Sequence, residues 1–170
     1  MSVSEFSRMV LLADLAHGEI FKEIRASPAE GAALARRFGL IALDELEAAL
    51  KLRAELSGVR VTGAVRGRVV QACGVTLAPV VALIEAPVDS LYVRPETLQK
   101  HGHEVAEATP DEEDVEPLSG PYIDIGELAA QSLALALDPY PRAPGAVWQG
   151  DEASLSSHPF AILKAMQEKG

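Results

Sequence analysis

The clearest pattern in the chain is an alternation of apolar and polar residues over positions 59–73. The odd positions carry most of the apolar side chains: Val59, Val61, Val65, Val69 and Cys73. The even positions include Arg60, Arg66 and Arg68. A period of two is typical of a β-strand, in which successive side chains point to opposite faces. The pattern therefore predicts a long strand with one apolar face and one face that carries arginines.

The segments on both sides of this strand predict an antiparallel, meander-like sheet. Residues 46–56 alternate like a strand, although their composition also favours a helix. The turn signal Ser57-Gly58 decides this ambiguity in favour of a strand that pairs with 59–73. Residues 80–93 predict a third strand, broken near Pro87. Glycines inside a strand often mark bends or bulges, so we expect such features at Gly63 and Gly67.

Two other segments predict helices. Ser27 can cap a short helix over 28–38, because a proline follows it, Glu30 occupies the capping-box position and a glycine comes after the last residue. Asp124 begins a second helix over 124–137, whose apolar face is expected to pack on the sheet. Together these elements predict the α+β fold class.

The chain of 170 residues is predicted to form a single domain over 1–170, large enough to bury a core without disulfides. Residues 96–121 are rich in acidic residues and prolines, and we expect them to form a variable surface loop. Residues 138–170 form a Pro-rich extension that ends in a short helix candidate, "SHPFAILKAM". No apolar stretch approaches the roughly 18 residues that span a membrane, and the N-terminus does not resemble a signal peptide. These features predict a cytoplasmic protein.

The acidic residues are unevenly distributed. Residues 104–116 hold seven acidic residues and no Lys or Arg, within a chain of net charge −10. Without these seven, 18 of the 25 acidic residues remain against 15 basic ones. Because the rest of the chain is nearly neutral, the overall acidity does not exclude binding to a nucleic acid.

The candidate binding site is the basic face of the predicted strand pair. Its residues are Lys51, Arg53, Arg60, Arg66 and Arg68. Guanidinium groups match phosphate geometry, so this face predicts contact with an RNA backbone. The alternative is a solvated sheet face with scattered charges. Only 5% of the residues are aromatic and none lies among these arginines, which argues against base stacking.

The residues that could carry catalysis or bind a metal give weaker signals. Cys73 is the only cysteine, and its place in the alternation favours a small buried side chain over a reactive thiol. His101 and His103 could bind a metal, but their spacing matches none of the zinc patterns. No phosphate-binding loop or EF-hand spacing is present. The sequence therefore predicts no catalytic residues, no metal site and no cofactor.

Several blocks together resemble the YceD family, the large ribosomal RNA subunit accumulation proteins of bacteria and plastids, and its alphaproteobacterial branch most of all. The blocks are the Val-rich strand that ends in "CGVTL", the segment "IDIGEL", the segment "LALDPYPRAPGA" and the terminal "HPFAILKAM". Similarity extends over nearly the whole chain and is weakest between residues 96 and 121. Many members carry a second cysteine close to the position of Cys73, which this chain lacks, so we expect no cysteine-based metal site.

The resemblance implies a non-enzymatic cytoplasmic factor that supports the synthesis, processing or stability of 23S ribosomal RNA. Its partner would be large-subunit RNA or an early assembly particle. Two alternatives remain: a protein-interaction adaptor without RNA contact, and a metal-dependent enzyme that uses Cys73, His101 and His103.

Overall fold

A computed structural model of the protein describes residues 4–94 and 115–148. The elements, in chain order, are β1 (Met9–Leu11), a 3₁₀-helix (Leu12–His17), β2 (Ile20–Arg25), α1 (Pro28–Phe38), β3 (Ala42–Ala54), β4 (Gly58–Ala72), β5 (Pro79–Val93), β6 (Val115–Pro117), β7 (Tyr122–Asp124) and α2 (Ile125–Leu135). Among the described residues, no helix is long and apolar enough to span a membrane.

The main sheet has five strands in the order β2-β3-β4-β5-β6. Its pairs are antiparallel except β5 with β6, which is parallel, and β1 pairs with β7 in a separate two-stranded sheet. The predicted α+β class and the β3–β4–β5 meander are confirmed. β6 and the buried Leu118 fall inside the predicted loop 96–121, so that prediction was wrong for the end of the segment.

The local signals for both helices are confirmed. In α1, the Glu30 amide donates to Ser27 Oγ, the Ser27 amide donates to Glu30 Oε2 at 2.8 Å, and Gly39 has φ 68°. In α2, one carboxylate oxygen of Asp124 accepts from the amides of Gly126 and Glu127 at 3.0 and 3.2 Å. These caps satisfy amide groups that a helix leaves without partners at its N-terminus.

The apolar face of β4 packs against α2. Val61, Val65 and Val69 have no exposed surface, and neither has Leu133 of α2. Gly67 lies directly beneath Leu133: a Cβ at Gly67 would lie 2.6 Å from Leu133 Cδ1. The absence of a side chain at Gly67 therefore leaves room for Leu133, which would have to shift if the residue were larger.

The structure shows neither a bulge at Gly63 or Gly67 nor the predicted break of β5 near Pro87. The pairing register passes through Gly63 and Gly67 without a shift, and the one shift in the β3–β4 pair lies between Leu43 and Glu45. Gly63 instead allows the backbone of β3 to lie close to β4, since a Cβ at Gly63 would lie 2.1 Å from the Ala49 carbonyl oxygen. β5 also runs unbroken through Pro87. A proline is tolerated at this position because no described strand pairs with Pro87 on the side opposite β4.

We predict that Gly67→Ala destabilises the protein by about 1 to 3 kcal/mol, because the added methyl group overpacks the contact with Leu133. Chemical unfolding would measure this change. Gly74→Ala is the matched control, since its nearest atom lies 3.8 Å from an added Cβ. A second substitution, Leu133→Ala, should reduce the penalty of Gly67→Ala. Equal unfolding free energies for Gly67→Ala and the parent would contradict this packing account.

Candidate contact surface on the outer face of the sheet

The side of the main sheet opposite α2 is its outer face. It carries the even-numbered residues of β4 and, from Glu45 onward in β3, the odd-numbered residues of β2, β3 and β5. All five sequence-predicted cations lie on this face, because the alternation that buries the valines of β4 directs the arginines the other way. The structure therefore brings together the residues of the predicted site.

The outer face also carries many carboxylates, which form a ladder across the strands. In one row the register aligns Arg25, Glu47, Arg66 and Glu85 on β2, β3, β4 and β5. Arg25 forms an ion pair with Glu47, and Arg66 bonds Glu85 at 3.0 Å. The charges therefore alternate in sign along this row.

Each predicted cation has at least one carboxylate within 3.4 Å. The pairs are Lys51 with Glu19 at 3.0 Å, Arg53 with Glu55 at 2.7 Å, Arg60 with Glu55 at 3.2 Å and with Asp89 at 2.8 Å, Arg66 with Glu85 at 3.0 Å, and Arg68 with Asp44 at 3.4 Å. The side-chain hydrogen bond from Arg53 lowers the pKa of Glu55, and the nearby charge of Arg60 adds to this effect. The predicted basic face is thus a mosaic of both signs.

Three of these cations nevertheless remain accessible to solvent. The exposed fractions of the Arg66, Arg53 and Arg68 side chains are 70%, 54% and 51%. Ion pairs at such exposure contribute little stability, so a competing anion can replace the carboxylate at small cost. Shallow depressions of about 450 and 320 Å³ lie on either side of Arg66, and the small residues Ala49 and Ala64 line the larger one.

The sequence prediction missed an aromatic side chain on this face. Phe21 of β2 lies opposite Lys51 of β3, with the Lys51 Nζ atom 5.7 Å from its ring centre. Phe21 is largely exposed, because the partly buried Ile20 and Ile24 occupy the other side of the strand. This alternation of β2 was the signal that could have placed Phe21 and Arg25 beside the predicted cations.

Cys73 is fully buried, as predicted, but it does not belong to the sheet core. It follows the last residue of β4, outside the main apolar cluster. Its sulfur accepts hydrogen bonds from the backbone amides of Val75, Thr76 and Ala143, at 3.4, 3.5 and 3.3 Å. The hydrogen bond from the Ala143 amide contributes most to lowering the pKa of the Cys73 thiol to about 6, followed by the side chain and amide of Thr76 and the amide of Val75.

The bond to Ala143 is one of three hydrogen bonds that attach residues 138–148, here called the strap, to the end of β4. The Gly74 amide donates to the Pro141 carbonyl at 2.8 Å, and the Gln71 side chain donates to the Asp138 carbonyl at 2.9 Å. The blocks "CGVTL" and "LALDPYPRAPGA" are therefore in contact. Spacing along the sequence could not show this, because 57 residues, 78–134, separate the two blocks.

The candidate metal ligands His101 and His103 lie outside the described residues. Within 4–94 and 115–148, no group of three or more His, Cys, Asp or Glu side chains is arranged to hold a metal ion. The described part of the chain therefore adds no support to the metal-dependent alternative.

Comparison with protein families identifies the class to which this chain belongs. Residues 61–166, more than half of the chain, match the family model of the large ribosomal RNA subunit accumulation protein YceD. The chain belongs to the YceD family. The matched region contains Arg66, Arg68, Cys73 and the strap, whereas Lys51, Arg53 and Arg60 precede it. Searches of curated proteins and of solved structures gave no significant match.

We predict that the buried thiol makes stability depend on pH. Because the folded-state pKa of Cys73 is about 6, below its ordinary value near 9, the thiolate favours the folded state. This contribution is complete above the unfolded-state pKa and is lost as the pH falls through about 6. Relative to Cys73→Ala, the unfolding free energy of the parent should therefore rise between these pH values. Parallel pH profiles of the two proteins would contradict the sulfur–amide geometry.

Proposed function

We propose that this chain supports the accumulation of large-subunit ribosomal RNA without catalysing a reaction, by binding RNA of an early assembly intermediate through the outer face. Family membership supports the role in RNA accumulation. The contact surface is supported mainly by one observation: Arg53, Arg66 and Arg68 remain more than half exposed although each pairs with a carboxylate.

The chemistry of arginine explains how such a paired group can still bind a phosphate. A guanidinium carries five N–H donors in a planar fork, and the Arg66–Glu85 bond engages one of its nitrogens. The exposed ring of Phe21 beside Lys51 adds a surface on which an unpaired base can stack. Because the carboxylates of the face repel a polyanion, we expect moderate RNA affinity. This affinity should fall as salt rises, since each arginine–phosphate contact releases counterions.

The alternating row supports a second candidate, a protein-interaction adaptor. This row presents positive and negative charges in turn on four neighbouring strands, at Arg25, Glu47, Arg66 and Glu85. A protein surface with complementary charges would use the carboxylates as well as the arginines, whereas RNA would be repelled by the carboxylates. The two candidates therefore predict opposite effects when the carboxylates are neutralised.

We predict that Arg66→Glu with Arg68→Glu weakens binding to large-subunit RNA and flattens the log–log salt dependence by about 0.7 to 0.9 for each phosphate that the variant no longer neutralises. Glu47→Gln with Glu85→Gln should strengthen binding, since repulsion is removed. In cells that lack the native protein, the arginine variant should fail to restore 23S RNA levels. Filter binding across a salt series and RNA quantification measure these outcomes.

The matched control is Lys22→Glu with Arg36→Glu, which changes the net charge equally at exposed positions away from the outer face. It should bind RNA nearly as the parent does, and all variants should melt within a few degrees of the parent because the changes lie on the surface. If the glutamine variant also loses function in cells while neither variant alters RNA binding, the adaptor replaces the RNA-contact proposal.

A further inference from the structure

An exposed aromatic ring lies on the outer face beside two of its cations. Phe21 of β2 is 71% exposed, and Lys51 is its direct partner on β3. Arg25 lies four residues further along β2 and faces the same way, because the odd-numbered residues of this strand share the outer face. Single exposed apolar residues are common on protein surfaces, so the surroundings of Phe21 decide whether it marks a site.

The surroundings of Phe21 provide open space. Ala49 and Ala64 lie side by side on β3 and β4, in a row between that of Phe21 and that of Arg25. Because alanine side chains end at Cβ, this row forms the floor of a shallow depression of about 450 Å³, which Arg25 and Arg66 also line. The spacing of residues along a strand puts roughly 13 Å between Phe21 and Arg25. The depression therefore lies between an aromatic ring and two guanidinium groups.

Both arginines at the depression remain accessible although each has a carboxylate partner. Arg25 forms an ion pair with Glu47, and Arg66 forms one with Glu85. The exposed fractions of the two arginine side chains are 72% and 70%. A guanidinium carries five N–H donors, and each of these ion pairs engages one of its nitrogen atoms. N–H groups of both arginines therefore remain for a phosphate oxygen.

The carboxylates of the depression distinguish between two forms of RNA. Glu23 and Glu47 line the depression together with the arginines. A double helix presents mainly phosphates and sugar hydroxyl groups, and carboxylates repel the phosphates. An unpaired base also exposes N–H donors on its pairing edge, from which a carboxylate can accept hydrogen bonds. The mixture of charges therefore suits unpaired RNA better than a double helix.

The ring of Phe21 favours the same form of RNA. Inside a double helix the bases stack on one another and are not available to a side chain. Unpaired bases can stack on an aromatic ring, and this contact tolerates any sequence because every base has a π-face. Phe21 can therefore strengthen the binding of an unpaired segment without strengthening the binding of a helical one.

We propose that this part of the outer face binds unpaired rather than helical RNA. A base stacks on Phe21, the carboxylate of Glu23 accepts from the N–H groups of a base, and phosphates contact Arg25 and Arg66. The inference rests on the proposed function and names the class of RNA that the outer face takes: segments of large-subunit RNA that have not yet paired, or that form loops.

The first test compares two forms of one RNA with the full chain. Short oligonucleotides that together cover large-subunit RNA are tested unpaired and after annealing to their complements. We expect the unpaired form to bind at least about tenfold more tightly. Attraction by charge alone would give the opposite order, because a double helix has the higher density of phosphates. Equal or tighter binding of the annealed form would overturn the proposal.

Variants of the ring give an independent readout. Phe21→Leu keeps an apolar side chain but removes the ring, so affinity for the unpaired form should fall about tenfold while affinity for the annealed form stays the same. Phe21→Tyr keeps the ring and should bind like the parent. Tyr122→Leu is the matched control, since it removes a half-exposed ring from the separate β1–β7 sheet. Stacking should also quench the fluorescence of 2-aminopurine in the RNA with the parent and not with Phe21→Leu.

The outcomes separate this inference from the proposed function. If the parent binds neither form of RNA, both are wrong. If a folded Phe21→Leu variant binds unpaired RNA as tightly as the parent does, RNA contact stands and the inference is overturned. Thermal melting shows whether this variant folds. If it does not fold, the relative affinity of the parent for the two forms of RNA decides the question.

Discussion

The rest of the structure depends on the burial of the odd-numbered side of β4 against α2, where Leu133 packs directly over Gly67. With the helix seated there, the odd-numbered valines of β4 must face it and the even-numbered arginines must face away. A slip of one residue in the strand register would place Arg66 and Arg68 beneath the helix, where an unpaired charge is strongly disfavoured. The outer face is therefore a consequence of how the core packs.

Both ends of α2 are fixed by polar contacts, which keep the helix in register with the sheet. At its start, Asp124 accepts from the Arg8 amide at 2.7 Å, and Arg37 of α1 bonds Glu127 at 2.6 Å. The bond from Arg37 lowers the pKa of Glu127 to about 2. Beyond the end of α2, the strap is held by the sulfur of Cys73. The lone cysteine thus acts as an acceptor that joins two distant parts of the chain.

Local signals predicted the parts of the fold that depend on short-range chemistry. Three of these signals are confirmed, and each depends only on residues of one continuous segment: the capping box of α1, the cap of α2 and the alternation of β4. Contacts between distant segments were not predictable in this way. The glycines of β4 resembled bulges because the residues they approach, Ala49 and Leu133, are identified only by the tertiary packing.

For the contact surface too, short-range signals were predictable and contacts between distant segments were not. Alternation predicted that the five cations share a face, but it could not predict their carboxylate partners. Glu85 and Asp89 come from β5, whose register with β4 is set by the complete meander. The short strand β2 brings Phe21 beside Lys51 across more than twenty residues of sequence that include α1. The balance of positive and negative charge on this surface therefore depends on the complete fold, and the alternation of β4 alone does not determine it.

The central claim is that the outer face contacts the large-subunit assembly intermediate. Ala64 lies near the middle of this face, and Ala32 is exposed on α1. A photoreactive amino acid placed at either position, followed by irradiation of cells and sequencing of the attached RNA, tests the claim most directly. The account predicts large-subunit RNA attached from position 64 and little from position 32. Equal attachment from both positions, or none from position 64, would contradict it.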